Sequence, residues 1–317
     1  MSEHIAKQIG VLVMSYGTPE SMDDVETYYT HIRRGNAPTP ELLAELKGRY
    51  EAIVGGVFPL RENTNGQVAG LQDKLEQLAP GKYSCYQGLK HAKPYIEDGV
   101  EQMAKDGITE AVGIVLAPHY STMSVGSYIK RAEEKAKELG ITMTFVKQYH
   151  MHPKLLQALT DRVVDGLARL ADASNGEENV KVLFSAHSLP VKIREMGDPY
   201  EQQLLETSAA VAKAANVKEW QFTWQSAGRT REPWLGPDIL ETLPVLAEEG
   251  VKAVLVAPVG FVSDHLEVLY DLDIEAQAAA KQLDMTLDRI TMLNRDPLYM
   301  ETLAESVIEA LADHGKE

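Results

Sequence analysis

The chain alternates short apolar runs, each too brief to be a helix, with longer stretches in which apolar positions recur every three or four residues. The short runs predict strands at 9–14, 83–88, 111–117 and 143–146, and a second set at 180–186, 221–224, 251–257 and 287–291. Helical spacing predicts helices at 127–139, 153–170, 200–215 and 265–283, among others. Strands that alternate with helices at such intervals form parallel sheets, so the expected fold class is α/β. The turn-rich Asp172-Ala173-Ser174-Asn175-Gly176 precedes the second set of strands. We therefore expect one half over 1–150 and another over 151–317, with the last helix free to cross back.

The second half repeats the plan of the first. Val11-Leu12-Val13-Met14-Ser15-Tyr16-Gly17-Thr18-Pro19 and Val182-Leu183-Phe184-Ser185-Ala186-His187-Ser188-Leu189-Pro190 are both apolar runs that end on a polar ring, with proline three positions on. The interval from Tyr16 to His187 equals that from Pro19 to Pro190, whereas the interval between the matching Pro118 and Pro258 is shorter. The first half thus carries surplus residues, roughly 33–65. They include Val54-Gly55-Gly56-Val57-Phe58-Pro59-Leu60, an apolar glycine-rich loop. Such a loop is costly in water unless it covers a flat hydrophobic ligand or packs as a helix–loop insertion. Both readings stand here. Loops at the carboxyl ends of parallel strands are where open α/β sheets bind ligands, which singles out Tyr16 and His187.

Composition narrows the class. Of 317 residues 44% are hydrophobic and 25% charged, as in a soluble globular protein. No apolar run is long enough to span a bilayer, and Met1-Ser2-Glu3-His4 lacks a secretory pattern, so a cytoplasmic protein is expected. The net charge of −16 and the lack of a basic stripe argue against nucleic acid. Cys85, the single cysteine, excludes a four-thiolate cluster or zinc site. Against the acidic background, Arg33-Arg34, Arg49, Arg61 and Lys90 gather in the first third. They read as a local site for an anionic ligand or as solvated helix ends.

His187 ends a strand, and Glu267, Asp271 and Glu275 recur at helical spacing after a later one. On a regular helix these carboxylates lie one turn apart on a single face, where like charges repel by a few tenths of a kcal/mol per pair. That face is either merely solvated or a ladder that passes a hydrated divalent cation inward, or protons outward. One imidazole with one carboxylate is a mixed nitrogen and oxygen set suited to Fe²⁺. Two protein ligands make a weak site, as an enzyme that gives its metal away requires.

Several long motifs together resemble the ferrochelatase family over essentially the whole chain. They are Val13-Met14-Ser15-Tyr16-Gly17-Thr18-Pro19, Tyr28-Tyr29-Thr30-His31-Ile32-Arg33-Arg34-Gly35, Ser185-Ala186-His187-Ser188-Leu189-Pro190, Trp234-Leu235-Gly236-Pro237 and Gly260-Phe261-Val262-Ser263-Asp264-His265-Leu266-Glu267. The likeness is to the soluble bacterial branch that metallates coproporphyrin III. It implies two Rossmann-like domains with parallel sheets, facing across a porphyrin cleft, and Fe²⁺ as a substrate with no permanently bound cofactor and no iron–sulfur cluster. It also implies His187 and Glu267 on the metal-inserting side and Tyr16 as an axial ligand to the porphyrin iron. Arg33, Arg49, Tyr50 and Tyr128 would contact the macrocycle's carboxylates, with Lys90 near the mouth, and Asp271 and Glu275 would line the ion's way in. A π-turn is implied after Glu267. An iron donor, a downstream haem-pathway enzyme and a monomeric state complete the expectation. One departure is Phe58, where relatives commonly carry serine, which removes a hydroxyl contact. A protoporphyrin ferrochelatase, a cobalt chelatase and a haem or metal carrier are the rival readings.

Overall fold

Two parallel sheets carry the same strand order in the computed structural model, which describes residues 8–53, 58–173, 180–228 and 230–314. Val54 to Val57 of the apolar loop and Ser174, Asn175 and Gly176 of the turn therefore lie outside the described residues. Along the chain run β1 (Ile9–Ser15), α1 (Val25–Ile32), α2 (Pro40–Ala52), α3 (Pro59–Leu78), β2 (Tyr83–Leu89) and α4 (Ile96–Lys105). Next come β3 (Glu110–Val115), α5 (Val125–Leu139), β4 (Thr142–Val146), α6 (Pro153–Ala173) and β5 (Val180–His187). Then follow α7 (Tyr200–Ala214), β6 (Trp220–Gln225), α8 (Ile239–Glu248), β7 (Ala253–Ala257) and α9 (Leu266–Leu269). A π-helical stretch (Asp271–Ala276), α10 (Gln277–Gln282), β8 (Thr286–Arg289) and α11 (Pro297–His314) end the series.

One compact unit runs to Tyr149 and takes in the chain from Asn294 onward; the other is His150–Leu293. The first sheet has the order β2-β1-β3-β4 and the second β6-β5-β7-β8, every pairing parallel. Central strands buried on both faces need near-continuous apolar sequence, and β1 and β7 are buried throughout. In the first unit Leu12, Met14 and Val115 pack with Ile96, Val100 and Met103 of α4. In the second, Leu183, Val254 and Val256 pack with Leu243 of α8 and with Val268 and Leu272. Each sheet order doubles back between its first and third strands, β1 and β3 or β5 and β7. Loops diverge at that reversal and leave a crevice at the carboxyl ends.

The helix expected over 265–283 is not continuous. The Tyr270 carbonyl accepts from the N–H of both Ile274, at 3.2 Å, and Glu275, at 3.0 Å, which widens the turn to the π spacing. Glu267, Asp271 and Glu275 are thus carried across a widened π turn, not along the regular α-helix expected of them. No helix among the described residues is long and apolar enough to cross a membrane.

Returning helix α11 is fastened to the first unit by a buried phenol pair. Tyr299 and Tyr149 hydroxyls lie 3.0 Å apart, and Tyr149 Oη donates to the Val115 carbonyl at 3.0 Å. Lys74 Nζ of α3 adds an ion pair to Glu301 at 3.0 Å. Removing the Tyr149 hydroxyl strips partners from two buried polar groups, and removing that of Tyr299 strips one. Tyr149→Phe should therefore destabilise by about 1–3 kcal/mol and Tyr299→Phe by about 1 kcal/mol, read as urea unfolding midpoints at unchanged slope. The reverse ranking would show that the Val115 bond carries no weight.

Candidate active site

His187 is the last residue of β5, and its backbone carbonyl accepts from the Tyr200 hydroxyl at 3.1 Å. Its Nδ1 is in short contact with the Ser188 carbonyl, so this nitrogen carries the proton and donates. The other ring nitrogen, Nε2, lies 3.5 Å from Glu267 Oε1. Glu267 follows β7, the strand beside β5, so the pair straddles the reversal of the second sheet. Gly260 lets the loop after β7 come this close: a Cβ there would collide with the Ala186 side chain and lie 2.8 Å from its Cα. The Gly260 N–H instead donates to the Ser185 carbonyl at 3.1 Å. Gln225, buried at the end of β6, ties the parts together. Its Nε2 donates to the Glu267 carbonyl at 2.8 Å, and its Oε1 accepts from Ser185 Oγ at 2.9 Å.

Two further groups surround the pair. His265 Nε2 lies 3.4 Å from Glu267 Oε2, and its Nδ1 donates to the Ser263 carbonyl at 2.9 Å. Asp271 is buried, accepts from Ser226 Oγ at 2.5 Å and adds its charge to the field at His187. Glu275 acts instead on Asp238, the N-cap of α8. Burial alone would lower the pKa of His187, but the Glu267 carboxylate, the Ser188 carbonyl and Asp271 outweigh it and raise the pKa to about 9. Burial likewise opposes ionisation of Glu267, and His187 and His265 overcome it, holding that carboxyl well below its usual range. The resting pair is thus imidazolium and carboxylate, not the neutral imidazole that an ordinary histidine offers at neutral pH. Both side chains remain about a third exposed, at 34% and 35%, so an ion in solution can reach them.

The first unit places Tyr16 just past β1, 40% exposed. Gly17 follows with φ of +86°, and a Cβ there would meet Ala92 at 3.0 Å, so the turn after Tyr16 needs glycine. The Tyr16 ring packs on His91 at 4.6 Å, and His91 Nδ1 meets His31 Nδ1 at 2.9 Å. Lys90 donates to Ser127 Oγ at 2.8 Å and lies 4.8 Å over the Tyr128 ring. Burial, with Arg131 and Arg34 nearby, lowers its pKa to about 8. Arg33 lies over Tyr29, while Arg49 pairs with Glu45 at 3.5 Å. Tyr50 is buried and packs on Phe58 at 4.7 Å, so Phe58 fills space beside a predicted contact residue.

Residues 8–311 match the protein family described as Ferrochelatase. The chain belongs to the ferrochelatase family. It is 47% identical over 308 residues to the coproporphyrin III ferrochelatase of Bacillus subtilis (strain 168), covering 96% of this chain and 98% of that one. A second coproporphyrin III ferrochelatase, from Oceanobacillus iheyensis, is 48% identical over 306 residues, with 96% and 97% covered. The fold is shared with the sirohydrochlorin chelatase SirB of Bacillus subtilis subspecies spizizenii, solved with cobalt, at a TM-score of 0.59, 12% identity and 98% of each chain. CbiX, the terminal enzyme of siroheme biosynthesis in denitrifying bacteria, aligns at a TM-score of 0.52 and 14% identity, over 95% of this chain and 99% of that one.

Within this ferrochelatase-family chain, His265, Gln225, His91 and His31 join the predicted residues without having been singled out from sequence. His265 and His31 lie inside motifs that carry the resemblance, and His91 follows Lys90. Their adjacency was the available signal. Partner geometry was not.

Glu267→Gln removes the charge that holds the His187 proton and leaves burial in place. The imidazole should then titrate well below its present value of about 9, read from its Cε1–H resonance, assigned by its loss in His187→Ala. The stability link has a definite sign. The raised His187 pKa contributes stability fully present below 6.5 and lost as pH rises through about 9. Depressed Glu267 contributes stability present above about 4.5 and lost as pH falls through its folded value. An unshifted resonance in Glu267→Gln would dissolve the pair.

Proposed function

We propose that this chain inserts Fe²⁺ into coproporphyrin III, releasing two protons and forming Fe-coproporphyrin III in haem biosynthesis. Family membership and near-half identity to relatives named coproporphyrin III ferrochelatase support this lyase-class reaction over a protoporphyrin or cobalt chelatase and over a haem carrier. The observation that carries it is the contact of His187 with Glu267, an acid–base pair with one open side. Metal insertion must strip two pyrrole N–H protons while hydrated Fe²⁺ sheds water. Fe²⁺ arriving at Glu267 sets a positive charge beside the imidazolium and favours loss of its Nε2 proton. The neutral imidazole can then hold the metal or accept a pyrrole proton, while Nδ1–H donation to Ser188 keeps the ring oriented. Nitrogen and oxygen donors suit Fe²⁺, and their small number lets it go.

Asp271 and Glu275 serve as the ion's way in. Arg33 and Arg49 grip propionates, with Tyr50, Tyr128 and Lys90 completing that contact, and the energy so gained goes into bending the macrocycle. Tyr16 is the axial ligand for the ferric product, since a phenolate suits ferric better than ferrous iron. The chain works as a cytoplasmic monomer that takes iron from a donor and passes its product to the next haem-pathway enzyme.

Anaerobic Fe²⁺ with coproporphyrin III should give faster absorbance change than Fe²⁺ with protoporphyrin IX. His187→Ala should slow insertion by roughly 100-fold or more and leave porphyrin affinity, read by fluorescence quenching, nearly unchanged. Wild-type turnover in that variant would end the reading. Arg33→Ala or Arg49→Ala should weaken coproporphyrin III binding by about tenfold, the worth of roughly 1.4 kcal/mol, and weaken a two-propionate porphyrin less. Equal losses for both would reassign these arginines to fold stability.

A further inference from the structure

Two neutral imidazoles that meet nitrogen to nitrogen can hold only one proton between them. His31 Nδ1 and His91 Nδ1 are 2.9 Å apart, a hydrogen-bond distance, so one ring donates and the other accepts. A neutral imidazole carries its single N–H on one nitrogen. The donor ring therefore has a bare Nε2, and the acceptor ring has an Nε2–H. Both rings are held in place. His31 stacks on Tyr95 at 5.1 Å with 19° between planes. His91 packs on Tyr16, and its backbone N–H donates to the Tyr16 carbonyl at 3.0 Å.

Charge decides the direction of the bond. His91 is the more buried ring and lies in the field of the Lys90 ammonium and the Arg131 guanidinium. His31 also senses Arg131, but the Glu97 carboxylate acts on it in the opposite sense. The N–H of His91 is thus the more acidic, and His31 the better acceptor. We propose that His31 is a positioning residue that locks His91 in the Nδ1–H tautomer, leaving Nε2 of the ring packed on Tyr16 as a bare lone pair. A bare nitrogen accepts a hydrogen bond, whereas an N–H does not. On the ferrochelatase reading, on which this consequence rests, His91 Nε2 is suited to accept from a pyrrole N–H of the bound macrocycle and so to orient it. His31 acts only through His91.

Long-range proton–nitrogen correlation on the full chain labelled with ¹⁵N-histidine reads the tautomers directly. His91 should show a protonated Nδ1 and a bare Nε2, and His31 the reverse. His31→Phe keeps an aromatic ring against Tyr95 but removes the acceptor, so a buried His91 Nδ1–H would lack its partner. The His91 pattern should then move to Nε2–H. His31→Asn, whose side-chain oxygen can stand where Nδ1 stood, should restore the wild-type pattern. In insertion assays His31→Phe should lower kcat by about tenfold with KM for the porphyrin little changed, and His31→Asn should recover most of it. An Nε2–H on His91 in the wild type, or a pattern unmoved in His31→Phe, overturns the inference. The wild-type spectrum decides alone if the phenylalanine variant does not fold. Absence of iron insertion by the wild type would defeat the reaction reading while leaving the tautomer result intact.

Discussion

Parallel pairing of β5 with β7 is the constraint on which the candidate site depends. Register sets Phe184 against Ala257, so both strands end at the same edge and their loops start side by side. His187 then needs no loop to carry it, and Glu267 needs only one that can approach closely. Gly260 grants that approach, and Gln225 pins the Glu267 backbone from the third strand. A single methyl at 260 would push the loop away from Ala186. The distance between imidazole and carboxylate thus rests on backbone pairing and a missing side chain more than on the attraction of the pair itself.

The electrostatics follow from that placement. Burial opposes charge on both His187 and Glu267, and each overcomes the cost chiefly through the other. Such mutual dependence makes the pair responsive: a cation at the carboxylate removes the reason for the imidazole to keep its proton. His265 on the second carboxylate oxygen and Asp271 deeper in widen the charge balance beyond two residues. Along the π-helical stretch Asp271 is buried against Ser226, while the charge of Glu275 acts on Asp238.

In the first unit, burial and positive charge have the opposite effect. Lys90 and Arg131 press on His91, which stays neutral and meets His31 through a single shared proton. Two histidines there are hydrogen-bonding groups; in the second unit one is a charge. The same side chain serves both purposes because its state is set by neighbours.

Much was legible along the chain. The eight predicted runs match the eight strands among the described residues, and most clearly the central β1, β3, β5 and β7, because a strand buried in a parallel sheet must be apolar almost throughout. Matching strand ends pointed to Tyr16 and His187, and motif resemblance supplied Glu267 and the family. Only the resemblance implied the break in the helix after His265, since an added residue per turn at Tyr270 leaves the apolar spacing nearly unchanged. Local pattern could not tell that Asp271 adds its charge to the field at His187 while the charge of Glu275 acts on Asp238. His31 and His91, and Gln225 and Glu267, are far apart in sequence, and only strand pairing and packing bring them within hydrogen-bond reach. Sequence determined the sheets and the residue types at their edges, because burial and periodicity are local demands. Partners, protonation and tautomer were decided by tertiary structure, because they depend on distances of a few ångströms between segments that the sequence keeps apart.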